Sequence, residues 1–296
     1  QTNAILLRPP VLDVLKKYNV GIGVSLDGTQ QAHDAYRLTR NGAKGTHELV
    51  LRGLERLSDP AYRHLARSIL CVVNIDSDPL EVDSFLREKA PPGTRYIDYL
   101  LPYATPDNPP RQPTDPGRRS PTPYADWLLP IFWRSLRSDA PHVRFFASIM
   151  QLALGGRSST EAIGPDTGRE LVIRTDGSYE LVDALQATAP GEVATAMGVD
   201  THSIEDAAVL LRRTGHLGKK SVAAACSSCD MLAICGGGHI ANRYSAERRF
   251  DNASAYCNDL MLLTSEIARA ARFHTQLGVA KWLQSRNTPR DDTGCC

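Results

Sequence analysis

Four cysteines in the C-terminal part of the chain have the spacing of metal ligands. They are Cys226, Cys229, Cys235 and Cys257, and their pattern is C-x2-C-x5-C-x21-C. Two cysteines separated by two residues can bind one metal centre from a single turn, and the other two complete its shell of thiolates. Three glycines at 236–238 follow the third cysteine. Because glycine has no side chain, the backbone there can approach a bulky inorganic centre and donate amide hydrogen bonds to its sulfurs.

The donor set alone leaves the identity of the metal open. Four thiolates suit either zinc or an iron–sulfur cluster. A C-x2-C pair makes zinc the usual interpretation, but zinc ribbons contain two such pairs and this chain contains one. Four buried thiols without a metal are the third possibility. Of the other cysteines, Cys71 lies in the apolar run 69–73 and is predicted to be a core residue, and Cys295 and Cys296 belong to a polar tail.

A second candidate site lies at the end of the first predicted strand. Residues 20–27 alternate between apolar residues and small or polar ones, which predicts a strand with one apolar face. That face consists of Ile22, Val24 and Leu26. The opposite face leaves room for a ligand, and it has Ser25 and Asp27 at the carboxyl end, where α/β folds place their chemistry. The alternative is a partly exposed edge strand.

Alternating helix and strand signals surround this segment. They predict helices at 9–18, 46–57 and 80–89 and strands at 20–27, 68–75 and 95–101. Helices and strands of this length in alternation form parallel βαβ units, so the predicted fold class is α/β, either a barrel or a doubly wound sheet. Eight prolines at 102–123 end the regular pattern and predict an irregular linker or lid.

The second half of the chain has a different organisation. Helices are predicted at 124–137, 143–154, 203–213 and 258–273, and a β-hairpin is predicted at 170–182. The hairpin turns at Asp176 and Gly177, a pair that favours a tight turn between two strands. Beyond residue 277 the sequence is polar and is predicted to form a tail.

Charge and composition exclude several classes of protein. Lys and Arg total 34 and Asp and Glu total 33, so the net charge of +1 argues against a nucleic-acid partner or a basic membrane-binding surface. The chain is 42% hydrophobic and 23% charged, which excludes a disordered or collagen-like protein. No apolar run reaches the roughly 20 residues that span a bilayer, and the first residues lack the features of a secretory signal. We therefore expect a cytoplasmic protein.

Several segments of the chain resemble radical-SAM (S-adenosylmethionine) enzymes with a C-terminal SPASM domain. They occur in the family's order: Val-Ser-Leu-Asp-Gly at 24–28, His-Asp-Ala-Tyr-Arg at 33–37, Gly-Thr at 45–46, Val-Arg-Phe-Phe at 143–146, Gly-Gly-Arg-Ser-Ser at 155–159, Thr-Asp-Gly-Ser at 175–178 and the cysteine segment 226–257. The resemblance extends to about residue 272 and is closest to the peptide maturases that form cyclophane cross-links. It implies an incomplete partial (β/α)6 barrel followed by a SPASM domain with a β-hairpin and an iron–sulfur site.

The resemblance divides the chain into four parts. They are the C-terminal part of the barrel with its proline-rich loop at 1–123, bridging helices at 124–160, the SPASM domain at 161–275 and a flexible tail at 276–296. The four spaced cysteines match the ligands of one auxiliary [4Fe–4S] cluster. The positions that match a first auxiliary cluster hold no cysteine: they are Glu161, Thr167, Val182 and His239. We expect this other cluster to be absent, with His239 as an isolated ligand as the alternative.

The chain departs from the family upstream as well. Radical-SAM enzymes bind their catalytic cluster through C-x3-C-x2-C, and that motif does not occur in this sequence. The segment Gln-Thr-Asn-Ala at 1–4 is similar to a strand end that follows the motif in the family. We therefore expect that an N-terminal part carrying the SAM-binding cluster is missing, and that the chain as given does not cleave SAM by itself.

The resemblance implies roles for individual residues. Ser25 and Asp27 are expected to hydrogen-bond the ribose or carboxylate of SAM, and Arg37 is expected to pair with that carboxylate. A surface salt bridge is the alternative for Arg37. Asp183 resembles a general base that takes a proton as the substrate is oxidised, and a turn residue is its alternative. The auxiliary cluster is either an electron acceptor or a structural element.

The implied function is maturation of a ribosomally made precursor peptide, which would lie under the 102–123 segment. A SAM-derived radical would abstract a hydrogen atom from a side chain, and the resulting carbon would join an aromatic ring to form a cyclophane. An external electron donor is the second expected partner, and no nucleic acid or membrane is expected. The alternatives are a radical-SAM side-chain dehydrogenase and a non-catalytic peptide-binding protein with a structural zinc.

Overall fold

A computed structural model describes residues 1–137, 141–166, 171–181, 184–188, 193–213 and 222–275 of the 296-residue chain. Within these residues lie ten α-helices: α1 Pro9–Lys17, α2 Gln30–Asp34, α3 His47–Leu57, α4 Pro79–Lys89, α5 Pro123–Ser135, α6 Arg144–Ala153, α7 Ala184–Thr188, α8 Ile204–Arg213, α9 Leu232–Cys235 and α10 Cys257–Thr275. The same residues contain seven strands: β1 Ile22–Ser25, β2 Ala66–Val72, β3 Tyr96–Leu100, β4 His142–Val143, β5 Val172–Ile173, β6 Ser178–Glu180 and β7 Ala194–Gly198.

Strands β1 to β4 form a parallel sheet in sequence order. The N-terminal residues extend it beyond β1, because the Thr2 amide donates to the Gly23 carbonyl and the Ser25 amide donates to the Thr2 carbonyl, both at 2.9 Å. The prediction of parallel βαβ units is therefore confirmed. β1 is bonded on both sides, so the alternative of an exposed edge strand is wrong.

The side chains of β1 explain the alternation in its sequence. Its predicted apolar face is buried, with Ile22, Val24 and Leu26 at most 4% exposed. The opposite face is also covered, since Ser25 and Asp27 are only 5% and 6% exposed. A parallel strand is normally covered on both faces, and here the second face buries polar side chains that need partners.

Several short elements were not predicted from the sequence. Val143 was predicted to begin a helix, but it ends β4, and the helix α6 begins at Arg144. The missed strand is fixed by the His142 amide, which donates to the Arg95 carbonyl at 2.9 Å. The elements β7, α2 and α7 were likewise missed. Segments of two to five residues are too short to establish an apolar period.

The C-terminal helix α10 is joined to α5. The Asp259 carboxylate accepts hydrogen bonds from the Tyr124 and Ala125 amides at 2.8 and 2.9 Å, so it caps the N-terminus of α5 from a distant part of the sequence. Burial raises the pKa of Asp259 to about 6. Beside it, the Tyr256 hydroxyl donates to the Pro102 carbonyl at 2.7 Å. These bonds tie α10 to the first half of the chain.

The apolar residues form two cores. The main core joins the parallel sheet to α5, α6 and α10 through residues such as Ile97, Phe146 and Leu260. A smaller core contains Leu185 and Leu211 and lies under the antiparallel sheet of β5, β6 and β7. Among the described residues, no helix has the length and apolar character needed to cross a bilayer.

Candidate functional site

The four spaced cysteines lie at the ends of short elements. Cys226 ends a 3-10 helix, Ala224–Cys226, and the Cys229 amide donates to the Cys226 carbonyl at 3.1 Å, which closes the turn between them. Cys235 ends α9 and Cys257 begins α10. None of the four is in a disulfide, and all are at least partly accessible to solvent.

These cysteines face a common region. The Cys229 sulfur lies 3.8 Å from the Met261 sulfur, one helical turn after Cys257 on α10. Burial raises the pKa of the Cys257 thiol, and the charges of Cys226 and Cys229 raise it further. The charges of Cys226 and Cys235 both act on Arg243. The structure therefore places Cys226, Cys229 and Cys257 in one neighbourhood, and Cys226 and Cys235 near Arg243.

The loop after Cys235 needs glycine for steric reasons. Gly236 has a left-handed backbone with φ of 61°, and a Cβ atom there would lie 1.8 Å from the Gly164 carbonyl oxygen. That close approach is fixed by the Gly164 amide, which donates to the Cys235 carbonyl at 3.1 Å. The backbone around the third cysteine is thus held against the 164–165 segment, which leaves the thiol side of the loop clear.

The thiols supply the donor chemistry of a thiolate-bound metal centre. Among the described residues, no three His, Cys, Asp or Glu side chains are close enough to hold one metal ion. The donor chemistry suits both a structural zinc ion and an iron–sulfur cluster, since four thiolates bind either one. Four free, partly accessible cysteines at the ends of short elements have the chemistry that a [4Fe–4S] cluster requires of its ligands.

A cavity of about 460 Å³ lies at the carboxyl edge of the parallel sheet. Its walls come from the ends of β2 and β3, the start of α6 and the segments that flank the cysteines. His239 and Ser254 lie in its wall, four residues after Cys235 and three before Cys257. The cavity and the four-cysteine region therefore share their flanking segments.

Of the three predicted cofactor residues, Arg37 lines this cavity. Its guanidinium forms a side-on ion pair with Asp27, in which Nε and Nη2 both donate to the carboxylate. Asp27 also accepts a hydrogen bond from the Val72 amide at 2.9 Å. Ser25 accepts a hydrogen bond from the Gln1 side chain at 3.0 Å. Asp27 and Ser25 thus lie behind the cavity wall, and Asp27 positions Arg37.

A buried histidine supports this ion pair. His33 is fully buried, and its Nδ1 accepts a hydrogen bond from the Asp27 amide at 3.1 Å. Its Nε2 lies 3.1 Å from the Thr46 hydroxyl. Because Nδ1 is an acceptor, His33 is neutral with its proton on Nε2, which donates to Thr46. Burial lowers the pKa of His33 to about 4, in agreement with this assignment.

A second ion pair in the cavity wall was not predicted. Arg144 at the start of α6 donates from Nε and Nη2 to Asp98 of β3, at 3.2 and 2.9 Å. Burial raises the pKa of Asp98 despite this partner, and the charge of Glu161 adds to the rise. The available signal was a carboxylate inside the otherwise apolar strand 96–100, because a buried charge in a strand requires a partner.

The structure describes two of the four positions that match the ligands of a first auxiliary cluster. Glu161 and His239 both line the cavity. Thr167 and Val182 lie outside the described residues, as does the predicted base Asp183. Ala184, which directly follows Asp183, lines the cavity. Cys71 is buried in β2 and burial raises the pKa of its thiol, so its prediction as a core residue is confirmed.

The proline-rich segment 102–123 is attached to both halves of the chain. On one side, Asp76 accepts hydrogen bonds from the Thr114 amide and hydroxyl at 2.7 and 2.9 Å and pairs with Arg111 at 3.1 Å. Burial opposes ionisation of Asp76, but these bonds outweigh it and lower the pKa. On the other side, the Asn242 amide group donates to the Ala104 carbonyl at 2.9 Å. The segment is a bound strap beside the cavity.

No protein-family model matches the chain. Over 182 residues it is 28% identical to a cysteine-type anaerobic sulfatase-maturating enzyme from Clostridium novyi (strain NT). This aligned region covers 60% of this chain and 47% of that protein. Over 88 residues it is 36% identical to an uncharacterised protein of Synechocystis sp.. This aligned region covers 30% of this chain and 22% of that protein. The chain is homologous to the first protein and spans about half of its length or less.

Solved structures with the same fold are anSMEcpe with bound AdoMet and anSMEcpe with bound AdoMet and the Kp18Cys peptide. Their TM-scores are 0.71 and 0.70 at 18% identity. The first covers 94% of this chain and 73% of the solved one, and the second covers 94% and 74%. At this identity the likeness establishes the fold. Homology and fold agree with the resemblance to radical-SAM maturases.

Proposed function

We propose that this chain is part of a radical-SAM maturase that acts on a ribosomally made peptide and joins an aromatic ring to a side-chain carbon. The observation that carries the proposal is the 460 Å³ cavity, whose wall contains Arg37 and the flanking residues of the four-cysteine region. The position at the carboxyl edge of a parallel sheet is where α/β folds bind their ligands. The solved neighbours that contain AdoMet and a peptide support the same assignment.

In this proposal Arg37 binds the carboxylate of SAM. Its Nε and one Nη2 hydrogen are used by Asp27, so the remaining edge of the guanidinium is the one offered to a ligand. Asp27 and Ser25 contribute by position: Asp27 fixes the guanidinium, and Ser25 is bonded to Gln1 in the cavity wall. When bound and cleaved, SAM supplies the radical that removes a hydrogen atom from the peptide.

The four cysteines are proposed to hold one auxiliary [4Fe–4S] cluster, which would supply an acceptor for the electron that leaves the peptide. The single C-x2-C pair, where zinc ribbons contain two, supports this choice over zinc. A purely structural cluster is the alternative role. The proposed location is the cytoplasm, whose reducing conditions keep thiols free. The proposed protein partner is a low-potential electron donor.

Asp183 is proposed as the general base that takes the proton lost from the peptide. It lies outside the described residues, and the proposal is supported by its neighbour Ala184 in the cavity wall. The buried Asp98 is unsuited to this task while Arg144 holds it in a side-on ion pair. The strap 102–123 is proposed to cover the bound peptide, since Pro102 and Tyr103 line the cavity.

The homology to a sulfatase-maturating enzyme favours a second candidate, in which the peptide belongs to a sulfatase and the modified side chain is not cross-linked. Fragmentation mass spectrometry of a modified peptide distinguishes the two, because the backbone between two cross-linked residues can break without releasing a fragment.

Metal analysis and an absorption spectrum after anaerobic purification test the proposed iron–sulfur cluster. About four irons with broad absorption near 400 nm support it, and one zinc in a colourless protein contradicts it.

A further inference from the structure

Arg243 is a buried arginine next to the four-cysteine region. Its side chain is among the largest that are fully buried, with 1% exposure. Nε donates to the Asn252 carbonyl at 3.2 Å and Nη2 donates to the Phe250 carbonyl at 2.7 Å. The Asn252 side chain donates back to the Arg243 carbonyl at 2.9 Å. These bonds hold the planar guanidinium in one orientation.

That orientation points the guanidinium to the loop that follows Cys235. A Cβ atom at Gly237 would lie 3.6 Å from Nη1, so the positive group lies directly beside the backbone two residues after a predicted ligand. Burial lowers the pKa of the Arg243 guanidinium, and the charges of Cys226, Asp251 and Cys235 oppose that shift. Two of these three are predicted metal ligands, on different short elements.

Burying a guanidinium is unfavourable unless negative charge compensates it. Four thiolates bound to one centre present the opposite problem, because their negative charges repel one another. Arginine stays protonated in proteins, so Arg243 supplies a permanent positive charge there. The reduction potential of an iron–sulfur cluster depends on net charge and on hydrogen bonding around it, and a fixed positive charge favours the more negative, reduced state.

We propose that Arg243 is a positioning residue that compensates the charge of the four-cysteine centre and raises the reduction potential of the cluster bound there. The inference rests on the proposed iron–sulfur cluster. A merely structural role would instead confine Arg243 to bracing the carbonyls of Phe250 and Asn252. The two roles differ in their response to loss of the charge: only the charge-compensating role predicts a change in the reduction potential of the cluster.

The test compares three variants of the full chain after anaerobic reconstitution. Arg243→Gln removes the charge, and Arg243→Lys keeps the charge but loses the planar pair of donors. Arg248→Gln is the matched control, because Arg248 is in the same loop with a side chain that is 52% exposed and its charge is screened by solvent. Iron per protein is measured first, and the reduction potential is then measured by a titration followed by electron paramagnetic resonance.

We expect Arg243→Lys and Arg248→Gln to keep the iron content and potential of the unchanged protein. Arg243→Gln is expected to bind less iron, and the cluster that it binds is expected to have a more negative potential. Full iron with an unchanged potential in Arg243→Gln would overturn the inference. If Arg243→Gln binds no iron, Arg243→Lys decides: retained iron supports the charge role, and equal loss overturns it. An unchanged protein that binds no iron contradicts the proposed cluster instead.

Discussion

Asp27 holds Arg37 in one orientation at the cavity wall. The carboxylate is 7% exposed and the guanidinium 29% exposed, so the pair lies between the interior and the cavity. The Asp27 carboxylate also receives the Val72 amide, and the Asp27 amide donates to His33. Val72 and His33 therefore fix Asp27, and Asp27 in turn fixes the guanidinium of Arg37.

This arrangement predicts that Asp27 affects SAM binding through Arg37. Asp27→Asn weakens the pair and allows the guanidinium to move, and Arg37→Lys removes the planar fork. We expect each to lower the affinity for SAM about tenfold or more, since charge-assisted hydrogen bonds contribute about 1.5–3 kcal/mol. Calorimetric titration measures the effect, and Arg52→Gln in an exposed pair with Glu48 is the control. Equal affinities in all variants would contradict the assignment.

The buried His33 predicts a pH dependence of stability. Its pKa is lowered to about 4 in the folded protein, whereas the unfolded chain has the ordinary value of 6.5. Between these values the unfolded chain binds a proton that the folded protein does not. The free energy of unfolding therefore falls as the pH falls from about 6.5 to 4, by at most about 3–4 kcal/mol from this group.

Urea unfolding at several pH values measures this contribution. The control is His33→Asn, which keeps an acceptor for the Asp27 amide but does not titrate. We expect the variant to lose less stability than the unchanged protein over the same pH range. Parallel curves for the two proteins would show that His33 does not carry the effect.

The ion pair of Asp98 with Arg144 predicts that loss of Arg144 destabilises the protein more at high pH than at low pH. Arg144→Met leaves the buried Asp98 carboxylate unpaired, which lowers the free energy of unfolding by about 2–4 kcal/mol near pH 8. Because burial already raises the pKa of Asp98, the unpaired carboxyl takes up a proton on acidification and the loss shrinks. Chemical denaturation at pH 8 and pH 5 compares the two losses.

The double variant Asp98→Asn with Arg144→Met is the control for this pair. The double variant also removes the Asp98 carboxylate charge that Arg144→Met leaves unpaired, so we expect it to recover much of the stability at pH 8. A single variant with the same loss at both pH values, or a double variant no better than the single one, would rule out a charge effect.

The strap 102–123 is predicted to depend on Arg111. This residue pairs with Asp76, donates to the Tyr36 hydroxyl and lies 5.7 Å from the centre of the Tyr36 ring. We expect Arg111→Ala to increase trypsin cleavage within the strap and to weaken binding of a precursor peptide. The exposed Arg40 provides the matched Arg40→Ala control. Unchanged peptide affinity in Arg111→Ala and in a strap deletion would remove the strap from the binding site.

Local pattern predicted most of the fold, because its helices and strands are long enough to show a period. The strands β1 to β3, the helices α3 to α6 and the buried Cys71 all follow from apolar alternation or spacing. The ion pairs of the cavity do not, because Asp98 and Arg144 are 46 residues apart and no local signal joins them. The sequence likewise identified Asp27 and Arg37 separately, but not that one holds the other.

The four cysteines were predictable from spacing, since metal ligands recur at short, fixed intervals. Arg243 was not, because its partners are backbone carbonyls of a loop and its significance lies in burial. Only the packed chain reveals that a buried arginine lies beside the loop that follows Cys235.

The central claim is that Cys226, Cys229, Cys235 and Cys257 hold one iron–sulfur cluster, and the most direct test is iron per protein in a series of Cys→Ala variants. Cys71→Ala is the matched control, because this thiol is buried in β2. We predict about four irons per chain in the unchanged protein and in Cys71→Ala, and a loss of most of the iron in each of the four ligand variants. Full iron binding in any two of those four, or an equal loss in Cys71→Ala, would contradict the account.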